Sequence, residues 1–475
     1  MEIHNGTTQN NQPVSPSPSY RRHIQLLSLT IPALAMPDDV TTKSMENGNV
    51  DPSASSSDSD ALTPQSLVKE EHVQAALAAD KGTAASLTAW KVVDFTKPGD
   101  NYACVVSSVE VRYDLDGKSF EVVYVVKLNP CRTFESMKEF TYMAFQKEAK
   151  FYTDLIPEMN TILRSIGLKE LKFPRCFYTF LEADKEVIFL EDLRPQGFKM
   201  TDRRQGLDEA HVILALRELA RVHAASLLVE AQLPNKDIIA RFPFIKKSWS
   251  YFIRKSEVFL SVFETQLKYS IDLLTKVGGY ERAIRWIEDI LPKIPDIIEE
   301  QVNDAKLKLV CHGDCWSNNM LFRYNEDDRP VEVMLLDVQL NNYSSPAIDL
   351  NYMLYTSTIG EVRQPNLQDF LSTYYSTFCS VLEAGNVDRP FTQAEFLQEF
   401  RDKNLYGVIY AMVLLPFMIV EPEDVIDLST GTDEDINVMM EESQAKANEL
   451  LDKNPLLRPR FLNVFDDMME SGVIP

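Results

Sequence analysis

Positive charge is scarce in this chain: 48 Lys and Arg stand against 71 Asp and Glu, a formal net charge of -23. A surface that negative repels phosphate backbones and anionic headgroups, so neither nucleic acid nor a membrane surface is an expected partner. Cysteine is sparse too, six in 475 residues. Cys104, Cys131, Cys176, Cys311, Cys315 and Cys379 are dispersed, with no Cys-x-x-Cys pair and no Cys/His zinc spacing. Reduced, buried thiols are the expectation, rather than a disulfide scaffold or a zinc site. No apolar run reaches the ~18 residues of a membrane helix. The nearest, Tyr406 to Val420, contains Pro416 and reads as a buried helix. Arg21 and Arg22 precede an apolar run from Ile24 to Met36, where Ala33-Leu34-Ala35 resembles a cleavage site. That run starts late and Pro32 interrupts it, so secretion is not expected and the cytoplasm is. No internal repeat is visible, and no obligate protein partner is evident.

What is present is enough to build a large core, since 45% of the residues are hydrophobic. Residues 1–75 contribute little to it. They are low in aromatics and rich in Ser, Thr, Asn, Pro and Asp, as in Asp51-Pro52-Ser53-Ala54-Ser55-Ser56-Ser57-Asp58. Such a segment cannot offset its ordering entropy by burial, so disorder is expected. Periodicity begins near Leu67, with a helix expected at 67–80. Strand-like runs follow at 102–113 and 120–128, joined by Leu115-Asp116-Gly117-Lys118, a hairpin signal. A helix is expected at 135–155, ending before Pro157, then strands at 175–180 and 186–191. Beyond Pro195 the pattern is mostly helical, at 208–230, 248–277, 279–292, 294–304, 366–384, 392–419 and 435–450. One β-rich island, 308–340, interrupts it. The predicted architecture is α+β and two-lobed: a β-rich lobe at 76–192 with one key helix, then a mainly helical lobe at 193–475.

The chemistry concentrates in His312-Gly313-Asp314-Cys315-Trp316-Ser317-Asn318-Asn319 and in Asp337. Phosphoryl transfer to a hydroxyl needs a carboxylate to orient that hydroxyl, oxygen ligands for a metal, and a cation on the phosphates. Asp314 is the candidate base, placed in a turn after the apolar strand Leu307 to Cys311. Asn319 completes an Asp-x-x-x-x-Asn spacing, the pattern of a kinase catalytic loop in which the Asn is a metal ligand. Asp337, at the end of Met334-Leu335-Leu336, is the candidate main Mg²⁺ ligand, because hard cations take carboxylate oxygen. A lone strand-ending Asp is usually a turn residue; the set of three is far more specific. Gly313 stands where a protein kinase has Arg, and the run from Asp337 to Asp349 leaves little room for a regulated activation loop. A small-molecule acceptor is therefore expected.

His-Gly-Asp-x-Trp-x-x-Asn, followed by Asp337-Val338-Gln339 and Ser345-Pro346-Ala347-Ile348-Asp349-Leu350, resembles the ecdysteroid kinase-like family, within the aminoglycoside phosphotransferase and choline kinase superfamily. Pro98-Gly99-Asp100-Asn101-Tyr102-Ala103, Leu190-Glu191-Asp192-Leu193, Gly197-Phe198-Lys199-Met200 and Leu219-Ala220-Arg221-Val222-His223-Ala224-Ala225-Ser226 agree with it. The resemblance runs from about residue 88 to near the C-terminus. Two positions depart from it: Val338 where Phe is usual, and Cys104 where Ser is common. It implies a protein kinase-like fold, ATP and Mg²⁺, and an alcohol acceptor such as an ecdysteroid. A choline- or ethanolamine-type kinase and a nucleotide-binding regulator without turnover are the alternatives.

On the nucleotide side, Lys127 ends the run Val122 to Val126 and is the candidate phosphate-binding lysine. Glu148 lies at helical spacing from Ala144, Phe145, Phe151 and Tyr152, and an acid on an apolar face calls for a counter-charge. The resemblance implies a Lys127–Glu148 pair, with Glu139 as the fallback. Gly99, Asn101, Tyr102, Ala103 and Cys104 would form the phosphate-covering loop. Glu191 and Leu193 would belong to the adenine-holding hinge, which the resemblance alone supplies. His223 reads as structural. His312 is assigned no acid–base chemistry, and Asp349 is expected to accept backbone N–H bonds. Trp316 and the aromatics of Trp249-Ser250-Tyr251-Phe252 are candidates for an acceptor wall.

Overall fold

The structure is a computed structural model that describes residues 63–95, 104–131, 135–419 and 454–475. The expected disordered segment up to residue 62, the loop at 99–103 and the helix at 435–450 lie outside those residues. Among the described residues, no helix is long and apolar enough to cross a membrane.

The β-rich lobe opens with a turn at Pro64–Leu67 and helix α1, Glu70–Lys81. The boundary expected at residue 75 falls inside this helix. Leu67, Val73, Ala76 and Leu77 are buried there against the sheet. Strand β1, Ser86–Asp94, was not expected. Its burial follows no strict alternation, so period two is weak. Strands β2, Val105–Leu115, and β3, Lys118–Leu128, form the expected hairpin. Asp116 and Gly117 both take positive φ, 51° and 73°, as a two-residue hairpin turn with primed geometry requires. Helix α2, Glu135–Lys150, continues through a wider π turn at Phe151–Leu155 into α3, Ile156–Ser165. The helix was expected to stop before Pro157. Pro157 lies two residues past the π turn, so the bond its missing N–H removes falls at an already irregular junction rather than within a regular α-helix. Strands β4, Cys176–Phe180, and β5, Val187–Glu191, complete an antiparallel sheet of order β1-β2-β3-β5-β4.

The second lobe starts with β6, Phe198–Met200, then α4, Glu209–Gln232, and the short α5, Ile238–Arg241. The helix expected over 248–277 is two, α6, Ser250–Lys255, and α7, Glu257–Val277, because Ser256 is extended (φ −112°, ψ 119°). Helices α8, Glu281–Ile290, and α9, Ile294–Asn303, precede the β-rich island of β7, Leu309–Cys311, β8, Met320–Tyr324, and β9, Pro330–Leu335. Strand β10, Asn342–Ser344, pairs with β7, while β8 lies between β6 and β9. Helix α10, Pro346–Ser357, was not expected; α11, Gly360–Ala384, starts earlier than expected, with Pro365 inside it. The helix expected over 392–419 is two, α12, Gln393–Asp402, and α13, Asn404–Met418, and α14, Asn463–Glu470, ends the series. Helix α11 packs along α4 and α10 along α13. All twelve residues of α10 are buried. A five-stranded antiparallel lobe with one helix bound to its third strand, then a helical lobe with a small β island, is the predicted two-lobed α+β arrangement of the kinase-like fold.

Candidate active site

The loop from His312 to Asn319 joins β7 to β8, and its shape is set from behind by α10. Gly313 has φ +83°, and a Cβ there would sit 2.1 Å from the Leu340 carbonyl oxygen, so no side chain fits. Asp349 is 1% exposed. Its Oδ2 accepts the His312 N–H at 2.6 Å and its Oδ1 the Gly313 N–H at 2.9 Å. Those are the backbone bonds expected of it. His223 Nε2 lies 3.1 Å from the same carboxylate, and His223 Nδ1 2.7 Å from the Tyr374 hydroxyl. Burial pushes Asp349 up, but the His223 bond and the neighbouring donors hold it below the usual carboxylate range. His223, Cys311 and Asp349 come within 4.8 Å of one another. Their bonds already brace the loop, so the trio reads as a strut rather than a metal site. Farther along, Ser357 Oγ accepts the Ser317 N–H at 2.9 Å. The His312 ring donates from Nε2 to the Leu336 carbonyl at 2.9 Å, leaving Nδ1 to accept the Asp314 N–H at 3.3 Å. Burial pushes His312 down, which keeps the ring neutral.

Asp314 is thus held by its backbone, and its carboxylate is held as firmly. Asn319 Nδ2 donates to Asp314 Oδ2 and to the Asp314 carbonyl, both at 2.9 Å. The Tyr352 hydroxyl donates to Oδ1 at 2.5 Å. Burial, then the nearby Asp337 charge, pushes Asp314 up to about 7, against the pull of these donors and of Lys127. A base near neutrality suits proton transfer at physiological pH. Sequence reasoning missed Tyr352. The signal was present: Ser345-Pro346 is a helix start, with the Ser345 side chain capping Ala347 N–H. From that start, Asp349 and Tyr352 fall three apart on one helical face.

Tyr352 also begins a run of packed aromatics, buried except at Trp249. Its ring lies 5.2 Å from Tyr410, Tyr406 and Tyr410 are 4.3 Å apart, and Trp249 lies 5.7 Å from both Tyr410 and Phe263. Trp249 therefore reaches Asp314 through two tyrosines. Phe252 packs instead on Phe140 of α2, 5.4 Å away, and Tyr251 is exposed. Trp316 is partly buried, and its indole N–H has no partner.

Asp337 follows β9 in a left-handed conformation (φ 61°, ψ 59°), a strained state for a residue with a Cβ. It is held there because the Leu336 N–H bonds the Asn319 carbonyl at 2.9 Å, which brings Asn319 and Asp337 side by side. Asp337 Oδ1 meets Lys127 Nζ at 2.6 Å, and Lys127 Nζ meets Glu148 Oε2 at 2.5 Å. Lys127 faces this gap from the middle strand β3, between Val106 and Ile188. Burial alone would lower the Lys127 ammonium, but Asp337 and Glu148 more than reverse that and hold it well above its ordinary range. Burial pushes the Glu148 carboxyl up, against the pull of Lys127. A buried charge set of this kind survives only when its members are paired. Glu139, the fallback partner, lies on the outside of α2 and pairs with Lys247 and Lys255.

The site thus gathers Asp314, Asn319, Asp337, Lys127 and Glu148. Cys104 is buried, close enough to Lys127 to bear on its ammonium. Gly99, Asn101, Tyr102 and Ala103 lie outside the described residues. Glu191 ends β5, and its carboxylate accepts from the Arg175 N–H at 3.2 Å and from Gln196 Nε2 at 2.9 Å. Leu193 is buried with Phe198 and Met334 at the junction of the lobes.

Residues 98–387 match the ecdysteroid kinase-like family. No curated protein matches the chain. Among solved structures, an ethanolamine kinase of Plasmodium vivax aligns over 77% of this chain and 83% of its own, at 9% identity and a TM-score of 0.36. An aminoglycoside-3′-phosphotransferase of type VIII aligns over 70% of this chain and 100% of its own, at 13% identity and a TM-score of 0.29. Likenesses this distant say nothing of activity.

Proposed function

The chain belongs to the ecdysteroid kinase-like family, and we propose that it transfers the terminal phosphoryl group of ATP to a hydroxyl of a small lipophilic alcohol, an ecdysteroid or a molecule like it. The observation that carries this reading is that Asp314 and Asn319, bonded to each other, are brought beside Asp337, which pairs with Lys127 of the other lobe. Asp314 orients the acceptor hydroxyl and takes its proton as that oxygen bonds to the terminal phosphorus. The bond from phosphorus to the bridging oxygen of the leaving diphosphate breaks, and the electron pair departs with ADP. Lys127, fixed by Glu148, pins the phosphates. Mg²⁺ fits the free ends of the remaining donors. Asn319 spends its N–H₂ on Asp314 and keeps its amide oxygen, while Asp337 uses one oxygen on Lys127 and keeps the other. Bound there, the ion would add positive charge against the phosphate oxygens.

The aromatic wall that ends on Asp314 suits an apolar acceptor. Aromatic faces beside a carboxylate also suit a quaternary ammonium, which makes a choline-like alcohol the second reading. Purified protein with ATP, Mg²⁺ and a panel of steroid alcohols, amino alcohols and glycosides separates them by the phosphorylated product. Bound ATP with no product from any alcohol would favour a regulator without turnover.

A further inference from the structure

Two consecutive residues of α2 carry buried charges in different directions. Glu148 reaches Lys127 on β3. Lys147, 2% exposed, turns the other way and donates from Nζ to the Lys247 carbonyl at 2.6 Å. The charged group that bears on it is Lys247, another cation, and burial pushes Lys147 down to about 7. A methionine would fill the same space without that desolvation cost. What the lysine adds is the hydrogen bond. The Lys247 carbonyl precedes α6, so no helical N–H serves it, and a buried carbonyl needs a donor.

The bond sits at a junction of three segments. The Lys147 carbonyl accepts from Asn341 Nδ2 at 3.3 Å, in the stretch that follows Asp337. Phe140, two turns earlier on α2, packs between Phe252 and Phe259 at 5.4 and 5.0 Å. The turn that Lys147 holds runs directly into Trp249. Trp249 contacts Tyr410, Tyr410 contacts Tyr352, and Tyr352 bonds Asp314. We propose that Lys147 is a positioning residue for the acceptor side of the site: its ammonium ties the 246–249 turn, and with it Trp249, to the helix whose next residue serves the nucleotide side. The inference rests on the reading of the Trp249–Tyr410–Tyr352 wall as the acceptor side.

The test uses the full chain, with Lys147→Met beside wild type. Hydrogen exchange at Tyr251 and Phe252 reports the turn, because their N–H groups close it on Ser248 and Trp249. Losing the Lys147 bond should speed that exchange about tenfold, a bond worth about 1.4 kcal/mol. Affinity for Mg·AMP-PNP should stay within about twofold, and the KM of whichever panel alcohol is turned over should rise about tenfold at the same kcat. Unchanged exchange in the turn, or a loss that falls on nucleotide affinity instead, overturns the proposal. Should the Met variant not fold, Trp249→Ala at a partly exposed position carries the comparison. It should raise the alcohol KM without touching nucleotide affinity, and an unchanged KM overturns the proposal. Absence of turnover with every alcohol would count against the proposed function, while the exchange comparison still decides the role of Lys147.

Discussion

Helix α10 and helix α2 both hold the proposed catalytic residues, with different chemistry. From α10, Asp349 and Ser357 accept hydrogen bonds from the His312, Gly313 and Ser317 N–H groups, and Tyr352 donates one to Asp314. Those contacts stay inside one lobe and fix the shape of a loop. From α2, Glu148 and Lys147 give charged contacts to Lys127, and to a carbonyl of the other lobe. The labour is divided: α10 shapes the loop that carries Asp314, the proposed base, and α2 connects Lys127, the proposed phosphate-binding lysine, to the second lobe. Changes in α10 should therefore appear as stability or kcat, and changes in α2 as nucleotide or acceptor binding.

Substituting Asp349 should break the comparison most severely. Asp349→Ala orphans two buried loop amides and the His223 ring, and should cost about 3–5 kcal/mol in denaturant melts. A loss below about 1 kcal/mol would mean that α10 does not shape the loop. Next, Lys127→Met should lower kcat/KM for ATP by about 10²–10³-fold, measured by steady-state kinetics on a folded variant. An effect on the alcohol KM alone would contradict the assignment of Lys127 to the nucleotide. Tyr352→Phe removes one hydrogen bond to a carboxylate, worth about 1.5–3 kcal/mol. It should lower kcat about 10–100-fold at unchanged ATP affinity, and a fall in ATP affinity would erase the distinction between the two helices.

The last effect lies in the pH dependence of stability. Lys147 has its proton affinity lowered from 10.5 to about 7 in the folded chain. Between those values the unfolded chain holds a proton that the folded chain has released, so the contribution of Lys147 to stability rises with pH across that window. Below it, both states are protonated and the full cost of burying the cation is felt. The stability of Lys147→Met relative to wild type should therefore be greatest near pH 6 and shrink towards pH 10. Urea melts at several pH values measure this, and a difference that stays flat would mean that Lys147 is not a buried cation.

Much of the site was legible because its spacing is local. The Asp314–Asn319 interval and the strand that delivers Asp337 are read within one hairpin. Glu148 was legible as an acid in need of a counter-charge because its neighbours on the helix are apolar; the family resemblance named Lys127 as the partner. Tyr352 went unread because its meaning depends on α10, whose polar residues Asp349, Asn351, Thr356 and Ser357 are as buried as the rest, so no solvent-facing polar side marks its period. Lys147 was not legible either. Its partner is a backbone carbonyl about 100 residues away, and no pattern in a sequence marks a carbonyl. The break at Ser256 was hidden for a similar reason, since both flanking segments are helical and one extended residue separates them.

The central claim is that Asp314 is the base of a phosphoryl transfer. Asp314→Asn keeps the size of the side chain and removes the negative oxygen. Transfer to the panel alcohol should fall by about 10²–10⁴-fold, while calorimetry finds Mg·ATP bound as tightly as by wild type. Turnover retained in this variant would contradict the account.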